Sequence, residues 1–175
     1  MSAEHAGIRA RRVVTGVDAA GRSAVLTDEL TATRVTLPGF TVNDVWRVDA
    51  LPAAVADGDT LTGEVVLEPP ADGLVVRLAT FPPDSWVNAE EYGASIATLH
   101  GEDADAGDEG IVGLHVTDTV DVVTVVTGEL YCVLETGETL LRPGDTVVNR
   151  GNKHAWSNRT DTPATVVATM FRGTR

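Results

Sequence analysis

The sequence predicts an all-β domain, an antiparallel sandwich or barrel, and three observations carry that expectation. Val- and Thr-rich runs broken by Gly and Pro are the composition of sheet and turn. Short candidate strands crowd the C-terminal part at 113–117, 120–127, 129–134, 138–141, 145–149, 154–158 and 164–171. Gly128, Gly137, Pro143-Gly144, Gly151 and Pro163 separate them, and no helical segment lies between them, which excludes a βαβ architecture. At 175 residues the chain makes one domain, with or without an arm, long enough to bury a core.

The elements follow in order. The first seven residues read as loose. Arg9, Arg11 and Arg12 form a small basic cluster, expected to form salt bridges with the acidic body. Gly16 and Gly21-Arg22 look like turns around short strands such as 23–26. Residues 33–37 run into a Pro38-Gly39 turn, and 42–48 is a further strand, carrying Trp46. Residues 1–57 therefore read as a β-rich arm without an obvious core, and 58–175 as the barrel. Strands are expected at 61–67 and 74–79, each closed by a Pro-Pro pair. Residues 88–100 have a helical start, with Asn88 as N-cap and acids in the first turn. The acidic, Gly-rich stretch 101–110 lacks the spacing of an EF-hand and reads as a solvated loop.

Charge and cysteine count exclude several classes. A formal charge of −13 opposes binding to nucleic acid or an anionic membrane. A single cysteine, Cys132, permits no intramolecular disulfide and no cysteine-based zinc cluster, and its apolar setting suits a core residue. No apolar run approaches the ~18 residues of a membrane helix, the N-terminus lacks an apolar signal core, and a cytoplasmic location is expected.

The chemistry concentrates in one alternating segment. His115, Thr117, Thr119 and Asp121 recur at every second position, so an extended backbone puts all four on one face of an apolar strand. Polar groups aimed at an apolar interior cost free energy unless something binds them. His154 follows beyond the Gly151 turn. Two neutral imidazoles and a carboxylate form the ligand set that leaves positions open for water, dioxygen or substrate. Iron, manganese, nickel and zinc all accept it. Spacing alone leaves a metal-free hydrogen-bonded network equally open. His5 and His100, in the tail and beside the acidic stretch, read as ordinary histidines.

Residues 110–128 and 144–158 resemble the two motifs of the cupin superfamily. The first motif pairs His-x-His with a Glu three or four residues on and a Gly after six more. Here His115, Thr117, Asp121 and Gly128 stand at those positions. The second ends on His and, three residues later, Asn; Gly144, His154 and Asn158 follow it one residue short. Thr117 replaces the second histidine, and Asp121 the glutamate. In these departures the chain is similar to a subgroup of small single-domain cupins with His-x-Thr-x-Thr-x-Asp followed by Gly-x-x-His-Ala-Trp-x-Asn.

The resemblance implies a double-stranded β-helix, or jelly roll, with a site inside the barrel mouth for a small organic molecule. It implies a divalent metal ion held by His115, Asp121 and His154, with Thr117 orienting the remaining ligand, and oxygenase, lyase, isomerase or cyclase chemistry. A metal-free cupin using His115 or His154 as base, and a non-catalytic binding cupin, are the alternatives. Cupins commonly pair or exchange N-terminal arms, which implies a homodimer. Trp156 and Asn158 are expected to fix the strand after His154, by packing and by bonding turn backbone.

Overall fold

Val- and Thr-rich runs build the chain's antiparallel strands, as seen in a computed structural model that describes residues 4–100 and 110–175. After a four-residue helical turn, α1 (Glu4–Gly7), come β1 (Arg11–Val17), β2 (Ser23–Leu30), β3 (Arg34–Leu37), β4 (Phe40–Val48) and β5 (Leu74–Phe81). Helix α2 (Ala89–His100) follows, then β6 (Thr119–Thr127), β7 (Leu130–Leu134), β8 (Gly137–Leu141), β9 (Thr146–Arg150), β10 (Ala155–Ser157) and β11 (Ala164–Arg172). One sheet has the order β3-β4-β5-β11-β6-β9, a second β10-β7-β8, and β1-β2 forms a separate ribbon. The fold is an all-β jelly roll.

Period two decides what is inside. Along β5, Val75, Arg77, Ala79 and Phe81 are buried; along β6, Thr119, Asp121, Val123 and Val125 are. Val166, Ala168 and Met170 of β11 lie between these strands. Leu130, Cys132 and Leu141 of the second sheet and Ile96 of α2 complete one core. Phe40 meets the rings of Phe81 and Tyr92 edge-on at centroid distances of 6.3 and 6.2 Å.

Local chemistry fixes the connections. The Asn88 side chain accepts from the Glu91 N–H at 2.9 Å, while Glu91 accepts from the Asn88 N–H, a capping box that starts α2 where the sequence predicts. Gly128, between β6 and β7, has φ of 75°, and a Cβ there would lie 2.8 Å from the Ala164 Cα, so only glycine fits. Arg11 pairs with Asp28, and Arg12 with Glu29 and Asp59, as expected of the basic cluster.

Five expectations change: Glu4–Gly7, read as loose, form α1 with His5 buried; Gly16, read as a turn, lies within β1; and three longer segments differ. Residues 61–67 form no strand, because their backbone is used by side chains: Gly63 N–H donates to Thr33 Oγ1 and Val66 C=O accepts from Arg77. Residues 113–117 form no strand either, only a bridge between His115 and His154. Strands β3 and β4 are continuous with the barrel sheet through β4–β5 pairing, so of residues 1–57 the β1–β2 ribbon is the part that forms its own sheet. The acidic stretch 101–109 lies outside the described residues. No helix among the described residues is long and apolar enough to cross a membrane.

Candidate functional site

The site begins with a backbone bridge. His115 and His154 exchange both N–H···O=C bonds, at 3.0 and 2.9 Å, which makes them direct antiparallel partners with side chains on one face. Their rings lie 4.4 Å apart between centroids. His115 Nδ1 is 2.8 Å from the Gly113 carbonyl oxygen, and His154 Nδ1 is 3.0 Å from that of Asn152. A carbonyl can only accept, so each Nδ1 carries a proton, and the neutral form of either ring then has its lone pair on Nε2, the tautomer of a metal-ligating histidine. Gly113, with φ of 74°, gives the backbone this course; a Cβ there would run into the Tyr92 ring. The Trp156 indole meets the His154 ring near perpendicular, at 5.7 Å.

The alternating face is also as expected. His115, Thr117, Thr119 and Asp121 are all buried, although the regular strand starts only at Thr119. Thr117 Oγ1 and Thr119 Oγ1 are 2.6 Å apart. Burial pushes the Asp121 carboxyl above the ordinary carboxylate range, opposed by the Thr119 hydroxyl, His154 and Arg77. Burial likewise pulls His154 below its ordinary value, favouring the neutral ring.

His115, Thr117, Asp121, His154 and Arg77 line one cavity of about 90 Å³ inside the barrel, walled elsewhere by apolar groups such as Phe40, Val123, Val166 and Met170. The donor set suits a divalent ion in two respects: both imidazoles present Nε2, and Asp121 Oδ1 is buried with no hydrogen-bond partner among the described residues. Among the described residues, no three His, Cys, Asp or Glu side chains are placed together to hold an ion. Aspartate, one methylene shorter than the glutamate of the family motif, has less reach.

Among the inward polar residues that escape the sequence reading are Arg77, Asp44 and Asn149. Arg77 is 3% exposed and lines the cavity. Its Nε faces Asp44 Oδ1 at 3.0 Å, and its Nη2 donates to Val66 C=O at 2.9 Å. Asn149 stands opposite Asp121 in the β6–β9 register and accepts a weak Cys132 thiol contact at 3.9 Å. Burial pushes that thiol up to about 11. The available signal for Arg77 was its place in the alternating set Val75, Arg77, Ala79, Phe81. Asn158 behaves as expected, donating to the carbonyls of Phe81 and Thr162.

No protein-family model matches the sequence. The chain is 32% identical over 136 residues to two proteins of Diaporthe leptostromiformis, the phomopsin biosynthesis cluster proteins D and C', covering 71% of this chain and 67% of each of them. Among solved structures, it is similar to a cupin 2 conserved barrel domain protein from Salinispora arenicola, with 13% identity, 80% and 82% of the two chains covered and a TM-score of 0.45.

Proposed function

The chain belongs to the family of the phomopsin biosynthesis cluster proteins D and C', and on that premise we propose that it is a small cupin and a metal-dependent enzyme of small-molecule biosynthesis. The observation behind this reading is the cross-strand pair His115 and His154, both with Nδ1 fixed on a carbonyl, on the wall of an apolar cavity. His115 and His154 would supply two nitrogens to iron, manganese, nickel or zinc, and Asp121 its carboxylate. Such an ion supplies Lewis acidity toward a carbonyl, enolate or carboxylate oxygen and, with a redox metal, dioxygen chemistry.

The protein's own residues supply the rest. The Gly113 and Asn152 carbonyls hold both rings in one tautomer. Thr117, a poor ligand, orients a bound water or the substrate through its hydroxyl. The apolar barrel wall excludes bulk water and strengthens each polar contact inside it. Metal analysis of protein purified without a histidine tag tests the assignment. About one divalent ion per chain is expected, lost on His154→Ala. A content far below one, unchanged in that variant, contradicts it.

A second reading is a metal-free isomerase or cyclase, favoured by the close Thr117–Thr119 hydroxyl pair that continues to Asp121. It uses His115 or His154 as base, and turnover insensitive to chelators supports it. Tight binding of a metabolite without turnover would instead identify a binding protein. We also propose a homodimer formed through the ribbon, where Val17, Val25, Leu26 and Leu30 are exposed. Sedimentation as a monomer at micromolar concentration contradicts it.

A further inference from the structure

The geometry points to a carboxylate-binding site inside the barrel, with Arg77 as the group that recognises the anionic end of a small organic acid. This rests on the reading of the cavity as a small-molecule site, and not on the metal. Arg77 belongs to β5, whereas His115 and His154 form a separate bridge lining the same cavity. Its guanidinium has five N–H donors, and their partners can be followed one group at a time. Nη2 is held by Val66 C=O at 2.9 Å and by Asp44 Oδ2 at 3.4 Å. Nε faces Asp44 Oδ1 at 3.0 Å, as an ion pair outside hydrogen-bond geometry. Nη1 is buried with no hydrogen-bond partner among the described residues.

A buried guanidinium nitrogen with no acceptor carries a large desolvation cost, which a ligand oxygen would remove. Arg77 is also one of the few polar groups lining an otherwise apolar cavity. Placement supports the same conclusion. In the strand register Arg77 stands opposite Asp44 on one side and Ala168 on the other. Ala168 is small, and its next partner, Val123, is apolar, so this row offers Arg77 no second acceptor.

Charge and size select the ligand class. Asp44 already neutralises part of the guanidinium, and Asp121 lies within its electrostatic reach. Burial holds both carboxyls above their ordinary range, which limits the negative charge already present, so a single carboxylate is the most the site can take and a phosphate dianion is repelled. The cavity of about 90 Å³ is smaller than the ~150 Å³ cavity known to hold benzene, so the acid must be short or must extend through the mouth.

NMR titration of the isotope-labelled full chain with propionate, its neutral isostere propionamide, and inorganic phosphate tests the proposal. Propionate is expected to bind roughly 10- to 100-fold more tightly than propionamide, the range of a charge-assisted hydrogen bond, and to shift the Arg77 Nε–H resonance. Arg77→Met should abolish the preference. The Asp44→Leu/Arg77→Met double variant, which leaves no lone buried charge, should abolish it as well. In His154→Ala and in chelator-treated protein the preference should persist, so a failure of the metal assignment leaves this test intact. Equal affinity for acid and amide overturns the proposal, as does phosphate binding more tightly than propionate. So does a wild-type Arg77 resonance that propionate leaves unmoved, or a preference lost in His154→Ala and retained without Arg77.

Discussion

The ribbon and the barrel each hold an Arg–Asp pair at nearly the same distance, and the two pairs do different things. Arg11 and Asp28 meet at 2.7 Å on the β1–β2 surface, where water screens both. Arg77 and Asp44 meet at 3.0 Å with both side chains 3% exposed. In the ribbon the pair satisfies its charges locally. In the barrel, burial holds the Asp44 carboxyl above its ordinary range despite Arg77, and the pair still has Arg77 Nη1 unpartnered among the described residues. Identical chemistry is surface decoration in one place and a ligand-directed group in the other, and solvent access decides which.

Removing one partner at a time widens that contrast. Asp44→Ala leaves a guanidinium buried without its counter-ion, and should lower unfolding free energy by about 3–5 kcal/mol in denaturant titration. The Asp44→Leu/Arg77→Met double variant should recover most of the loss, because both charges go together. A neutral buried pair falls between the extremes. Thr80 and Thr165 share a hydroxyl hydrogen bond of 3.0 Å, and Thr80→Val should cost about 1–2 kcal/mol by stranding the Thr165 hydroxyl. Arg11→Ala should leave the denaturation midpoint unchanged. If Asp44→Ala proves as silent as Arg11→Ala, the barrel pair is hydrated and the contrast fails.

The same difference explains what the sequence revealed. The polar face of His115, Thr117, Thr119 and Asp121 was legible because residues at period two share one face of an extended backbone. His154 was legible from its motif, and the bridge sets it beside His115. Arg77 and Asp44 were not, since a single charged residue in a strand ordinarily faces water, and only the β4–β5 register turns both inward. Residues 61–67 have strand composition, but strand formation needs a free edge, and here side chains of Thr33 and Arg77 occupy the backbone. Residues 34–48 looked like an arm because their partner, β5, lies beyond a long irregular stretch that sequence periodicity does not bridge.

Crystals of untagged protein, scanned at the iron, manganese, nickel and zinc edges, test the central assignment most directly. The account predicts one anomalous peak inside the barrel, about 2.0–2.2 Å from the Nε2 atoms of both His115 and His154, with Asp121 swung to meet it. A barrel with no such peak after growth in metal-replete medium, and with both Nε2 atoms hydrogen-bonded to water or protein, would contradict it.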